Sequence, residues 1–462
     1  MEIHSWKAKE GIYPESMKVC IIGGGLCGMS AALALRGYGI EVVLLEASNY
    51  ERPRAGEHLI AKALDALTRL GVPARIWQAN AVDCYEVQCA WGSEAYYTKN
   101  SIFNAQGSGV LLTRPGFDNA LARFVAESGV DFRRLCRVSS LEKEADGWSI
   151  KYSTQTGMNE LSADFIVDAS GRNTKFSSSF DATRLKYDKL VAISLSISPE
   201  KIKHAKVDGG VPIGSIKVEA GAYGWCYIAG LKDGARVVTL MTDSHIVKKY
   251  GTPLKAFKQL LALTRNAAQL LNKVQDIKQV SICSSQTQIL SCVAGDNWAA
   301  IGDAAWSADP LSSQGMYKAI TSGINVADVL SECRQEQIFP APQYSADIRA
   351  QFYKYFLDRS KYYRQERRWE NENFWKIRHR KNWLELPVKL HPAEKIKADI
   401  EPDESTVQYI REIVPAVNVS VLLNIMTEVE RAAEAVEIYK KNTDCFATDK
   451  EIVLAVQILM GL

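Results

Sequence analysis

Histidine and net charge are both scarce in this sequence, and each scarcity excludes something. Six unclustered histidines, and ten cysteines without a C-x-x-C pair, supply no zinc ligand set and no disulfide framework. No metal is therefore expected, and the thiols read as reduced, in a cytoplasmic protein. A formal net charge of +3 gives no global basic surface for nucleic acid. No stretch approaches the roughly 20 apolar residues of a membrane span, and the opening MEIHSWKAKEGIYPES lacks the apolar core of a secretory signal. Repeats and low-complexity runs are absent too. What remains is 47% hydrophobic and 24% charged, an ordinary globular balance, in a chain of 462 residues with room for two or three folding units.

The richest signal comes early, in KVCIIGGGLCGMSAALALRGYGIEVVLLEAS. A short β-branched run meets Gly23-x-Gly25-x-x-Gly28, an alanine-rich helical stretch follows, and a second strand ends at Glu46. In such a unit the first glycine turns the strand, the second lets the backbone approach a pyrophosphate and the third packs helix on strand. The helix N-terminus offers amide donors to the anion, and Glu46 stands where a carboxylate accepts a ribose hydroxyl. No second fingerprint of this kind occurs.

Four later stretches repeat the strand-to-helix theme. RPRAGEHLIAKALDALTRLG places Arg54, Gly56, Glu57 and His58 before a helix with apolar positions Ile60, Ala63, Leu64, Leu67 and Leu70 and a capping Gly71. GVLLTRPGFDNALARFVAESG puts Arg114 and Asp118 at a strand-to-helix change, and ADFIVDASGRNT runs a strand into Asp168. Finally GDAAWSADPLSSQGMYKAI follows a strand from Trp298 to Ile301.

In this order the stretches resemble the FAD-dependent monooxygenases of the aromatic-hydroxylase superfamily, which includes flavin halogenases and prenyl reductases, over roughly residues 18–380. The resemblance implies an α/β fold: a Rossmann-like FAD-binding domain of the glutathione-reductase and aromatic-hydroxylase type, an antiparallel-sheet substrate domain and a helical C-terminal addition. It assigns FAD to Gly23, Gly25, Gly28, Glu46, Arg54, Gly56, Arg114, Gly302, Asp303, Pro310, Gly315 and Met316. Pro310 to Gly315 would floor the reaction chamber, and the following helix N-terminus would favour an anionic reduced flavin. Electrons would come from NAD(P)H or from a separate flavin reductase, and the oxidant would be molecular oxygen.

Within that superfamily, Ser312 stands where tryptophan halogenases carry a glutamate, CYEVQCAWGSEAYY has no lysine, and Trp225-Cys-Tyr227-Ile keeps only part of the halogenase W-x-W-x-I-P. The G-E-x-L element, Trp91-Gly92, DPLSSQG and RRWENENFW instead resemble the flavin monooxygenases that mature quinone-cofactor enzymes, the LodB, GoxB and QhpG group. That implies hydroxylation of an indole through a flavin hydroperoxide, on a tryptophan of a partner polypeptide during tryptophylquinone formation, or on a small aromatic molecule. Halogenation, prenyl-type reduction and a non-catalytic flavin scaffold are the rivals.

Glu57 and His58, with Ser312, Ser313 and Gln314 as donors, are the candidates for proton transfer. Tyr223, Trp225 and Tyr227 alternate along one strand and so share a face, where they either stack on an aromatic substrate or pack the core. The expected division is an N-terminal extension (1–17), an FAD domain (18–185 with 286–340) and a substrate sheet (75–112 with 186–285). A long amphipathic helical segment (341–383) and a small helical domain (384–462) complete it.

Overall fold

The computed structural model describes residues 17–51, 54–100, 108–145, 147–172, 176–204, 211–274, 277–333, 338–379, 395–396, 402–443 and 447–460. All but the last residue of the expected N-terminal extension, and the end of the aromatic run with LPVKLHPAE (380–394), lie outside them.

A β-branched run buried on both sides is what a central parallel strand requires. The strand β1 (Lys18–Ile22) has this character and pairs in parallel with β2 (Glu41–Glu46) on one side and with Phe165–Asp168 on the other. Asp131–Arg134 and Trp298–Ala300 extend the sheet in parallel, and Ala294–Gly295 adds an antiparallel edge, six strands in all. Between β1 and β2 the chain forms α1 (Leu26–Gly37), whose residues Leu26 to Leu35 are all buried.

The second sheet has seven strands, ordered Ser281–Ser284, Leu190–Ile197, Arg236–Asp243, β3 (Gly224–Gly230), Ser215–Gly221, Glu86–Ala90 and Tyr97–Asn100. All its pairs are antiparallel except Ser215–Gly221 with Glu86–Ala90. A turn at Lys232-Asp233-Gly234 joins β3 to its neighbour, with Gly234 at φ +88°. Two long helices then matter for the site: α2 (Gly315–Glu332) and α3 (Ala341–Tyr363). Gly323 lets α2 lie on α1, since a Cβ there would sit 2.7 Å from the Cys27 carbonyl oxygen and the Ala31 amide nitrogen.

The sequence pattern predicts helices over 253–274 and 419–441 as well as along 341–383, and all three are broken by tertiary partners. The stretch 253–274 is two helices, Pro253–Leu261 and Asn266–Lys273, because Glu219 captures the Arg265 amide and Thr264 bonds back to Leu261. The segment 341–383 stops being helical at Arg364, where buried Glu366 takes the Gly92 amide and the Arg368 guanidinium, and resumes as Asn373–His379. The run 419–441 divides into Val419–Glu428 and Ala432–Asn442, with the Ile396 amide bonded to the Glu430 carbonyl in the gap. With Glu404–Ile413 and Asp449–Leu459, these last two helices enclose a separate apolar cluster against which Tyr353 and Phe356 of α3 pack. Among the described residues no helix is long and apolar enough to cross a membrane.

Candidate active site

The glycine turn after β1 separates three mechanical roles. Gly23 adopts φ +106°, and a Cβ on it would sit 2.5 Å from the Ala169 carbonyl oxygen. A Cβ on Gly28 would sit 2.0 Å from the Gly23 oxygen, so α1 rests directly on the turn. Gly25 differs: its φ is an ordinary −69°, and among the described residues an added Cβ would meet only the Arg54 guanidinium, at 4.0 Å. The space above the start of α1 is therefore open. Among the described residues no side chain caps α1, so its first amides face that space as an anion seat.

Glu46 borders the seat. One carboxylate oxygen accepts the Gly24 amide and the other the Ser48 amide, both at 2.7 Å, and Arg54 approaches at 3.5 Å while bonding Ser48 Oγ at 2.9 Å. A carboxylate has about four acceptor positions, so capacity remains for a ribose hydroxyl. The open seat, the uncapped helix and this acid fit a dinucleotide such as FAD.

The chain returns to the seat at Gly302, which takes φ +56° and would drive a Cβ to 2.6 Å from Cys27 Sγ. Asp303 follows, between Lys318 Nζ at 2.7 Å and Arg172 Nε at 3.1 Å. Lys318 also donates to the Trp306 carbonyl and lies 4.2 Å over the Trp306 ring. Burial pushes the Asp303 carboxyl up, but the two cations outweigh it and hold it below the ordinary value. Sequence reading missed Lys318; its signal was the one lysine of the helix, a turn after its start and three residues beyond the DPLSSQG loop.

Asp309 starts the following turn, its carboxylate accepting the Leu311 amide at 3.0 Å. Pro310–Ser312 make a 3₁₀ turn, Ser313 is left-handed at φ +52°, and Gln314 and Gly315 are exposed where α2 begins without a side-chain cap. Ser312 and Ser313 are half-buried beside them. Met316 Sδ lies 3.8 Å from the Arg114 guanidinium.

Arg114 holds a neighbouring loop in place. It grips Asp118 with two bonds of 3.1 Å and donates to the carbonyls of Ala55 and Gly56 at 3.1 and 2.9 Å. These bonds support the Gly56–Glu57 turn, where Gly56 takes φ +97°. Glu57 is 6% exposed and accepts the Tyr227 hydroxyl at 2.8 Å. Burial raises its carboxyl pKa despite that bond. His58, next along the strand, points the other way, toward Gly109, and burial pulls its imidazole down to about 4. Glu57 and His58 therefore do not form a pair.

Trp225 and Tyr227 do share a face of β3. Tyr227 reaches Glu57, but Trp225 is 2% exposed, meets Trp91 edge-on and gives its indole N–H to the Tyr363 hydroxyl at 3.0 Å. Trp225 thus packs in the core of the sheet. Tyr223 sits in the turn before β3 and packs half-buried against the cluster containing Phe257 and Leu260.

Residues 16–340 match a family model described as FAD binding domain. The putative FAD-dependent oxidoreductase LodB of Marinomonas mediterranea is 28% identical over 79% of this chain and 97% of its own. Among solved structures, the peptidyl tryptophan dihydroxylase QhpG, essential for tryptophylquinone cofactor biogenesis, superposes with TM-score 0.62 at 22% identity, covering 84% of this chain and 82% of its own. The myxobacterial chondrochloren halogenase CndH gives TM-score 0.70 at 20% identity over 97% of both chains.

Proposed function

Since this chain belongs to the FAD binding domain family and is a flavin-dependent oxidoreductase, we propose that it is a monooxygenase that hydroxylates an indole ring. The substrate is a tryptophan side chain of a partner polypeptide, on the way to a quinone cofactor. Similarity to LodB over nearly its whole length, and to a structure named as a peptidyl tryptophan dihydroxylase, supports that choice. Electrons come from NAD(P)H or a separate reductase. FAD, once bound and reduced, supplies the activation of molecular oxygen for transfer to an electron-rich ring.

This chain's residues do the rest. The turn at Gly23, Gly25 and Gly28, with Glu46, would hold the nucleotide end, and Asp303, kept ionised by Lys318 and Arg172, would offer an acceptor to the cofactor's hydroxyls. The seven-stranded sheet forms the substrate wall, and the helices beyond residue 402 help to form the groove for a polypeptide. The observation that carries the catalytic part is the part-buried hydrogen bond from Tyr227 to Glu57, which joins the Gly56–Glu57 turn to the sheet wall. There Glu57 holds its proton to higher pH than an ordinary glutamate and delivers or accepts it beside the ring. Glu57→Gln keeps an acceptor for Tyr227; the variant should bind FAD normally while turnover falls about a hundredfold. Unchanged turnover would remove Glu57 from the chemistry.

The similarity to a halogenase supports one rival. Product whose mass depends on added chloride or bromide would favour it over hydroxylation.

A further inference from the structure

Asp309 opens the turn that leads to the N-terminus of α2, yet what fixes it lies in α3. Tyr355, Arg359 and Tyr363 stand four residues apart and so share one face of that helix. The Asp309 amide donates to the Tyr355 hydroxyl at 2.6 Å, and the Tyr363 hydroxyl donates to Asp309 Oδ2 at 2.6 Å. Arg359 Nε reaches the same oxygen at 3.3 Å, while its other arm holds Asp188 at 2.8 Å. Asp309 and Tyr363 are each 1% exposed. The second Asp309 oxygen caps the 3₁₀ turn through Leu311, so the carboxylate's direction sets the turn, the left-handed Ser313 after it and the entry into α2.

Tyr363 has a second attachment. Its oxygen accepts the Trp225 indole N–H, and Trp225 lies on the same face of β3 as Tyr227, the partner of Glu57. One hydroxyl thus joins α3, the sheet wall and the turn before α2.

We propose that Tyr363 is a positioning residue that, through Asp309, fixes the N-terminus of α2 against the flavin ring and keeps it in register with the sheet wall. The inference rests on the FAD reading above. A helix N-terminus carries partial positive charge that acts over about one turn, so small displacements of α2 change how well a reduced, anionic flavin is stabilised.

The test is the reduction potential of bound FAD, measured by dye equilibration on the full-length protein carrying Tyr363→Phe, Asp309→Asn or both, with exposed Lys361→Ala as control. Tyr363→Phe keeps the ring and removes only the hydroxyl. Tyr363→Phe should shift the potential negative by more than the control, and should add no further shift on an Asp309→Asn background, because the two groups act as one unit. Additive shifts, or a Tyr363→Phe protein with the wild-type potential, would overturn the proposal. Should Tyr363→Phe fail to fold, Tyr355→Phe, which removes the acceptor for the Asp309 amide, must give the same negative shift; a wild-type potential there also overturns it. A colourless wild-type protein after incubation with FAD would instead defeat the FAD reading itself.

Discussion

Glycines that look alike in the sequence carry different loads at the residue scale. Gly25→Asp places its side chain in open space at an ordinary φ, so the melting temperature should stay near that of the parent while the purified protein loses its yellow colour. Gly28→Ala must push its Cβ off the Gly23 carbonyl, which costs about 1–3 kcal/mol or more and should lower the melting temperature as well. A yellow Gly25→Asp protein would refute the nucleotide seat. The fingerprint made these roles legible, because spacing alone encodes them.

His58 was legible as a candidate but not in its state. Its folded pKa of about 4 lies below the unfolded value of about 6.5, so the unfolded chain binds the extra proton and stability falls as pH drops between those values. The loss is about 3 kcal/mol at most. His58→Leu should flatten that part of a urea-denaturation series from pH 7 to 4; an unchanged slope would assign the acid sensitivity elsewhere. Nothing in the local sequence announced that the ring turns from Glu57, which follows only from strand alternation once His58–Leu59 pairs with Val110–Leu112.

At the scale of elements, helix existence was readable and helix interruption was not. The apolar periodicity of 253–274 and 419–441 is continuous, and the breaks come from distant groups, the Glu219 carboxylate and the segment at Ile396. Periodicity reports the buried face of a segment, not the competing acceptors that tertiary folding brings to its backbone. The last helix shows the same limit. Its Thr448–Glu451 capping box is visible in the sequence, but the burial of Glu451 beneath Tyr353 of α3 is not. Burial raises the Glu451 pKa, so its folded carboxyl favours the proton and stability is lost as pH rises above the ordinary glutamate value. Glu451→Gln, which keeps the oxygen acceptor, should therefore raise the melting temperature at neutral pH, with the gain vanishing below about pH 4. A gain independent of pH would contradict this origin.

Across the whole molecule, the cradle is assembled from segments nearly three hundred residues apart: the turn at Gly23 and the return at Gly302, which meet where Cys27 touches Gly302. The motif GDAAWSADPLSSQG made that return legible, because the resemblance ties it to the first fingerprint. The supports were not legible: Lys318 and Arg172 on Asp303, and the α3 stripe on Asp309, are single polar residues whose meaning appears only when helices and sheet are packed. The separate apolar cluster of the C-terminal helices likewise needs the fold to show that it seats on α3, the helix that holds the turn before α2.

The central claim, oxygen transfer to a tryptophan within a polypeptide, is tested most directly by intact mass of a candidate partner polypeptide. It is incubated with this protein, FAD, NAD(P)H, a flavin reductase and ¹⁸O-labelled oxygen. The account predicts one or two labelled oxygen atoms on a tryptophan, absent when the gas is unlabelled or the enzyme is Gly25→Asp. An unmodified polypeptide, alongside halide-dependent or free-indole turnover, would contradict it and make the enzyme one of small molecules.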